Sequence, residues 1–555
     1  MWNSIESKLL PTLHGVWQLA VDRPVECILY LVPLLCLLVL LGRSLWRQEG
    51  RRAFWWATAI VLFNTLFSWG DDSYTHMYRI VALAEEFRQG RLGMLLTNPT
   101  TGQVLPVFVF YSSLPYLLPT LLNLLGMPVV VVFKLALGAQ FLVLAFGLQA
   151  LIDRTRTENA RPANNAADFL IAILFIEANY VYTLWCTRAA LAELWVYSFI
   201  PWVVLAILDP RGGRRLTGLL FVQACAHPIV LAQTLVCELV VPFGLSRLSL
   251  AQLARRCLGP LVLALVLASP FWLPQDLLKD FILGPAALPQ PFTNSFRTLS
   301  ELVHARDFRA VGPWMPIALV LGIAAARGRL GARFWVLAAT FLLVLGVQWT
   351  GISALVARIP VLNLSVFVWR LMLPASFLAF GALLAGWRQV ERPPVTALAP
   401  IAMLAVLGML WVSVYVAPSY FVKLANAPSD RHALVNYDAG DGIWGIKEFL
   451  PNYARLPRKC VDASEAQDIK YSELRKAFTT ERPYVVVRDG PTGFVRYNVP
   501  ENTCEGDLVL GPVKPGDAVR VDELKIDALF YVRMLDLLAV AALGLWLARR
   551  ARTQG

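Results

Sequence analysis

The sequence predicts a polytopic α-helical membrane protein of about thirteen spans, with a small β-rich domain near its C-terminus. Three observations predict it. Apolar runs of ~17–25 residues, the length that crosses a bilayer, recur along most of the 555 residues, which are 57% hydrophobic and only 16% charged. Arginines gather in the short loops between those runs. One long polar segment, 418–527, breaks the pattern with short β-branched runs punctuated by Gly and Pro, such as "RPYVVVRDG", "GFVRYNVP" and "DLVLGPV".

The expected spans are 25–42, 53–69, 127–152, 168–186, 194–208, 216–227, 229–245, 257–273, 312–326, 334–348, 368–387, 395–417 and 528–548. Residues 1–22 mix polar and apolar side chains and do not read as a cleavable signal peptide, because the first apolar run starts near Cys27. The arginines orient the spans. Arg43/Arg47/Arg51/Arg52, Arg154/Arg156/Arg161, Arg211/Arg214/Arg215, Arg247/Arg255/Arg256, Arg327/Arg329/Arg333, Arg388/Arg392 and Arg549/Arg550/Arg552 all fall on one side, which the positive-inside rule makes cytoplasmic. The agreement requires that 104–125, with Pro106, Pro115 and Pro119, does not cross. The formal charge of +12 is therefore topological and does not call for a nucleic-acid partner.

This layout gives a transmembrane domain over 1–417 with outer loops 70–126 and 274–311, an extracytoplasmic β-rich domain over 418–527, and a final span and cytoplasmic tail over 528–555. Cys27, Cys36, Cys186, Cys225, Cys237 and Cys257 lie in or beside apolar runs and read as small core hydrophobes. Cys460 and Cys504 share the polar segment, where an oxidising compartment would let them form a disulfide.

Four polar constellations fall on the outer side. In "WGDDSYTHMYRI", Asp72, His76 and Arg79 are spaced i, i+4, i+7 and would share one helix face, with Asp71 one residue back. The plain alternative is an acid-capped surface helix. In "CTRAALAELW", Arg188 and Glu193 sit in a short turn between spans, as a cavity pair or an interfacial ion pair. In "ACAHPIVLAQ", His227 and Pro228 break an apolar stretch; a kink with a hydrogen-bonded histidine is the plain alternative. In "IPVLNLSVFVWRLMLP", Arg370 follows Trp369 at the outer end of a span, as a phosphate clamp or a snorkelling anchor. A carboxylate pair, an acid–arginine pair, a histidine and a phosphate-height arginine on one membrane face are what transfer from a phosphate-bearing lipid to an outer acceptor requires. Neither GxxxxGK[ST] nor a clear GxGxxG is present.

In order along nearly the whole chain, "DDSYTHMYRIVALAEEFRQGRL", "FVFYSSLPYLLPTLL", "TRAALAELWVYSFIPWVVL", "AHPIV", "SPFWLPQ", "IPVLNLSVFVWRLMLP" and "KEFLPNY" resemble the GT-C superfamily of polytopic glycosyltransferases. More closely, they resemble bacterial GT-C-like membrane proteins labelled "6-pyruvoyl-tetrahydropterin synthase-related". Each motif is short; their order and sidedness carry the resemblance. An extra span, 25–42, precedes the first loop, and Asp71 adds an acid where the family pattern often has none.

The resemblance implies a glycosyltransferase in the bacterial inner membrane with its active site facing the periplasm. It would use a polyprenyl-phosphate-linked sugar donor and a glycan, lipid or protein acceptor, in cell-envelope polysaccharide or other glycosylation. Asp72 would be the general base, assisted or replaced by Asp71; Arg370 and Arg188 would bind the donor phosphate. His76, Arg79, Glu193 and His227 would orient the acceptor. A divalent cation, if used, would fall to Asp71, Asp72, Glu193 and His227, since carboxylates are suitable hard ligands. The alternatives are a flippase for lipid-linked sugars, favoured by broken helices, a non-catalytic subunit of a polysaccharide assembly machine, and another lipid-linked transferase or ligase.

Overall fold

The computed structural model describes residues 24–68, 70, 72–91, 96–97, 104–105, 107–157, 165–278, 296–303, 310–326, 329–356, 358, 368–387, 395–425, 459–462, 464–470, 478–488, 495–504, 507–523 and 527–553. Asp71, the N-terminal segment 1–22 and the "KEFLPNY" motif (447–453) lie outside them.

Most described residues are helical. Seven helices are long and apolar enough to cross a membrane: Ile28–Trp46, Val129–Thr155, Leu191–Leu208, Pro228–Leu245, Leu250–Leu267, Val368–Gly386 and Ala528–Leu545. An eighth is added if the bent pair Ala166–Ile176 and Asn179–Arg188 counts as one span. The expected thirteen are thus not all present as full-length spans among the described residues. Leu114–Leu124, Trp314–Ala326 and Ala332–Gly346 are apolar but shorter, whereas the helix Val395–Ala425 runs for 31 residues. At ~1.5 Å per residue, 13 residues (Trp314–Ala326) rise only ~20 Å against a hydrocarbon core of ~30 Å. Gly50–Phe67 has the length but carries Arg51, Arg52 and Asn64, which dilute its hydropathy. The expected span 257–273 is also displaced, because the chain breaks at Ala268 between Leu250–Leu267 and Ser269–Leu278.

Residues 104–125 form no spanning helix. They hold one strand of a two-residue ladder (Val104–Leu105 on Leu96–Thr97), a short helix Val107–Phe110 and an 11-residue helix Leu114–Leu124. That helix packs against Ser73–Arg88 and Val129–Thr157. The span Val368–Gly386 is buried along its whole length. A helix apolar on every side belongs at the centre of a bundle, and Met372–Trp387 touches Ala332–Gly346, Pro228–Leu245, Trp314–Ala326 and Asn165–Ile176. Around it Val129–Thr157 lies along Leu191–Leu208, and Gly50–Phe67 along Asn165–Ile176.

Near the C-terminus a four-stranded sheet runs in the order Ala466–Lys470, Tyr484–Arg488, Asp507–Leu510, Glu501–Cys504, its first pair parallel and the others antiparallel. Its buried residues among those described are Ala466, Val485, Val487, Asn502, Leu508, Val509 and Leu510, most of them on the two central strands. Two short ladders flank it. Cys460 is disulfide-bonded, whereas Cys36, Cys186, Cys225, Cys237 and Cys257 are free thiols; Cys504 closes the strand Glu501–Cys504.

Candidate functional site

The site is made where helices end. Gly50–Phe67 stops at Ser68, and the chain turns through Gly70 into Ser73–Arg88, with Asp72 at the N-cap position. The cap is not of the expected kind, since the Asp72 carboxylate makes no hydrogen bond to its own helix. It reaches instead to Arg188, whose Nη2 lies 3.1 Å from Oδ2.

Arg188 ends a π-helical turn, Leu184–Arg188, and Ala189 follows at φ 58°, a left-handed conformation that costs a non-glycine residue energy. That turn points the Arg188 carbonyl at the first loop, where the Asp72 N–H donates to it at 3.0 Å. The approach also explains Gly70: a Cβ there would lie 2.6 Å from the Arg188 carbonyl carbon and oxygen.

Glu193, in the first turn of Leu191–Leu208, is fully buried between two arginines. Arg188 grips it with both terminal nitrogens, Nη1 to Oε2 at 3.1 Å and Nη2 to Oε1 at 3.2 Å. Arg370, from the 3-10 turn Val368–Leu371, donates from Nε at 2.9 Å and lies 2.8 Å away at Nη2, both on Oε1. Two tyrosines fix the arginines: Arg188 Nη1 donates to Tyr180 Oη (3.3 Å), and Tyr197 Oη donates to the Arg370 carbonyl (3.1 Å). The result is a chain Asp72–Arg188–Glu193–Arg370 drawn from four separate segments. Burial falls steeply along it: Glu193 and Arg370 are 1% and 9% exposed, whereas Asp72 is 38% exposed.

His76 and Arg79 form a second layer, on the same helix as Asp72. The Leu191 N–H donates to His76 Nε2 at 3.2 Å, which leaves the ring proton on Nδ1, 2.6 Å from the Tyr116 oxygen. Burial, then Arg79 and Arg188, hold His76 well below the usual histidine range. Arg79 donates to the same Tyr116 oxygen at 3.2 Å and lies 4.1 Å above the Tyr111 ring. Tyr111 in turn stands edge-on to His227 at 5.8 Å, and His227 faces Arg370, Glu193 and Arg188. The expected residues among those described therefore meet in one neighbourhood, and His76 and Arg79 support it from behind.

The helices that supply these groups carry arginines at their far ends: Arg51 and Arg52 against Asp72, Arg211 beyond Leu208 against Glu193, Arg214 and Arg215 against His227. Among the described residues no three His, Cys, Asp or Glu side chains gather as a metal site. Glu193, bonded to two guanidiniums, is poorly placed to hold a cation as well.

Sequence reading missed Tyr111, Tyr116, Tyr180, Tyr197 and Lys134. The first two lie in the aromatic–proline segment but carry no spacing signal of their own. Lys134 had one: it is a lone cation within "VVVVFKLALG". It is buried and donates to the carbonyls of Thr65 (3.1 Å) and Ser68, closing the end of the helix that leads into the Asp72 loop. No family model matches this chain, and no curated protein matches it.

Proposed function

We propose that this protein transfers a sugar from a polyprenyl-phosphate-linked donor to an acceptor hydroxyl at the outer face of the membrane. The observation that carries the reading is the Asp72–Arg188–Glu193–Arg370 chain, in which only the terminal acid is substantially exposed. In the reaction the acceptor oxygen attacks the anomeric carbon while its proton passes to Asp72. The bond from that carbon to the phosphate oxygen breaks, and the phosphate leaves with the electron pair. A phosphoester needs little help to leave, whereas a hydroxyl needs a base, an effect of typically 10²–10⁴-fold. Arg188 fixes the direction of the Asp72 carboxylate, and Arg370 and Arg188 offer positive charge to the departing phosphate. Glu193 spaces the two guanidiniums and offsets part of their charge.

Asp72→Asn tests the reading. It keeps the shape and a contact to Arg188 but removes the base, so transfer to acceptor should fall by at least a hundredfold with unchanged yield and melting behaviour. Full transfer by that variant would refute the proposal. The 57° bend between Ala166–Ile176 and Asn179–Arg188 favours a second reading, a flippase for lipid-linked sugars. That reading predicts translocation of labelled lipid-linked sugar in proteoliposomes without any acceptor product.

A further inference from the structure

We infer that the helix break at His227–Pro228 is an oxyanion subsite, holding a phosphate between His227 Nδ1, the N-terminus of Pro228–Leu245 and Arg370. Two independent features meet there. First, Pro228–Leu245 is an 18-residue helix whose N-cap, His227, makes no side-chain cap to it. Pro228 has no N–H, and the Leu231 N–H is taken by the His227 carbonyl at 3.0 Å. The first-turn N–H groups of Ile229 and Val230 have no acceptor within the helix, and they add to the roughly half positive charge that a helix presents at this end.

Second, His227 is 9% exposed, and its Nδ1 is a buried polar atom without a hydrogen-bond partner among the described residues. A buried donor or acceptor left unmade costs about 1–3 kcal/mol, so a nitrogen of this kind marks where a ligand atom belongs. The charged groups facing it are Arg370, Glu193 and Arg188. Arg370 and Arg188 face the same break, and the carboxylate among these neighbours, Glu193, is bonded to both of them. Tyr111, edge-on to His227 and beneath the Arg79 guanidinium, is an aromatic neighbour of the break.

The inference changes the role of His227 from acceptor contact to phosphate donor contact. That the phosphate belongs to a lipid-linked sugar rests on the proposed transfer reaction; that the break binds a phosphate does not. The test is therefore binding, read by calorimetry on the purified full chain in detergent, with farnesyl phosphate, inorganic phosphate and farnesol as probes. Farnesyl phosphate should bind and farnesol should not. Inorganic phosphate much weaker than farnesyl phosphate marks the lipid as the source, and equal affinities mark a free phosphate. His227→Leu should weaken farnesyl phosphate roughly ten- to a hundredfold, the effect of one hydrogen bond to a charged group. If that variant does not fold, a conservative pair decides the matter. His227→Asn keeps a donor near the Nδ1 position and should bind within about threefold of wild type. His227→Gln places its donor near Nε2 and should lose most of the affinity. Equal binding by the Asn and Gln variants, or no binding of either phosphate by the wild type, overturns the subsite. Phosphate binding with no detectable sugar transfer would leave the subsite standing and remove the transferase.

Discussion

Two groups of buried arginines can be set side by side. Arg188 and Arg370 spend their donors on side-chain carboxylates, Asp72 and Glu193. Arg533, in the helix Asp527–Thr553, spends its donors on main-chain carbonyls: Phe108, Val109 (3.2 Å), Pro270 (2.8 Å) and Phe271 (3.3 Å). Both groups sit at broken backbone, and both look alike in the sequence, as single arginines beside apolar runs. The partner distinguishes them. Carboxylates arranged by arginines form a charged, partly accessible assembly that can meet a substrate. Carbonyls gathered by one arginine are an architectural repair, because backbone that leaves its helix in an apolar setting must be satisfied by something.

The comparison can be broken in order of expected effect. Glu193→Ala strands two guanidiniums in a buried site and should cost about 3–5 kcal/mol. Thermal unfolding in detergent, with Glu193→Gln as the milder control, reads it; a melting point unchanged by the Ala variant would mean that Glu193 does not hold the arginines. Arg533→Met leaves several carbonyls without donors and should cost about 2–3 kcal/mol. Its surviving folded fraction should keep wild-type affinity for a phosphate probe, whereas Arg370→Met should lose that affinity; identical behaviour of the two variants would abolish the distinction. Gly70→Ala presses a methyl onto the Arg188 carbonyl and should cost about 1–3 kcal/mol while shifting Asp72. Here the informative outcome is a loss of transfer larger than the loss of stability.

The smallest effect is a pH dependence. Burial lowers the folded-state His76 below its unfolded range near 6.5, so the unfolded state binds the extra proton first. Stability is full above about pH 6.5 and falls as pH drops below it, by about 1.4 kcal/mol at pH 5.5. His76→Gln should remove that part of the difference between melts at pH 7.5 and pH 5.5; an unaltered pH profile would show that His76 is not held neutral.

Much of this arrangement was legible in the chain. The arginine-bearing loops located the opposite helix ends, and each polar constellation stood out because charges are rare in so apolar a sequence. What stayed hidden was pairing at long range. Nothing in "AELW" or "VWRLM" says that Glu193 and Arg370 touch, since 177 residues separate them. Periodicity reports which face a side chain takes, not which distant segment meets it. Arg533 escaped for a related reason: inside an expected span it looked tolerable, and its four carbonyl partners come from breaks that local patterning placed only loosely. The thirteen expected spans are not all found among the described residues, because Trp314–Ala326 and Ala332–Gly346 are apolar but shorter than a bilayer.

Arg533 also bears on how the chain is assembled in time. Its partners at Phe271 and Phe108 precede it by 262 and 425 residues. At synthesis rates of ~5–20 residues per second, the backbone breaks at Val107–Phe110 and Ala268–Phe271 wait tens of seconds for their donor. The clasp that Arg533 makes on both breaks can form only once the helix Asp527–Thr553 has been made, and a chain truncated before residue 533 would keep every described residue of the candidate site without it.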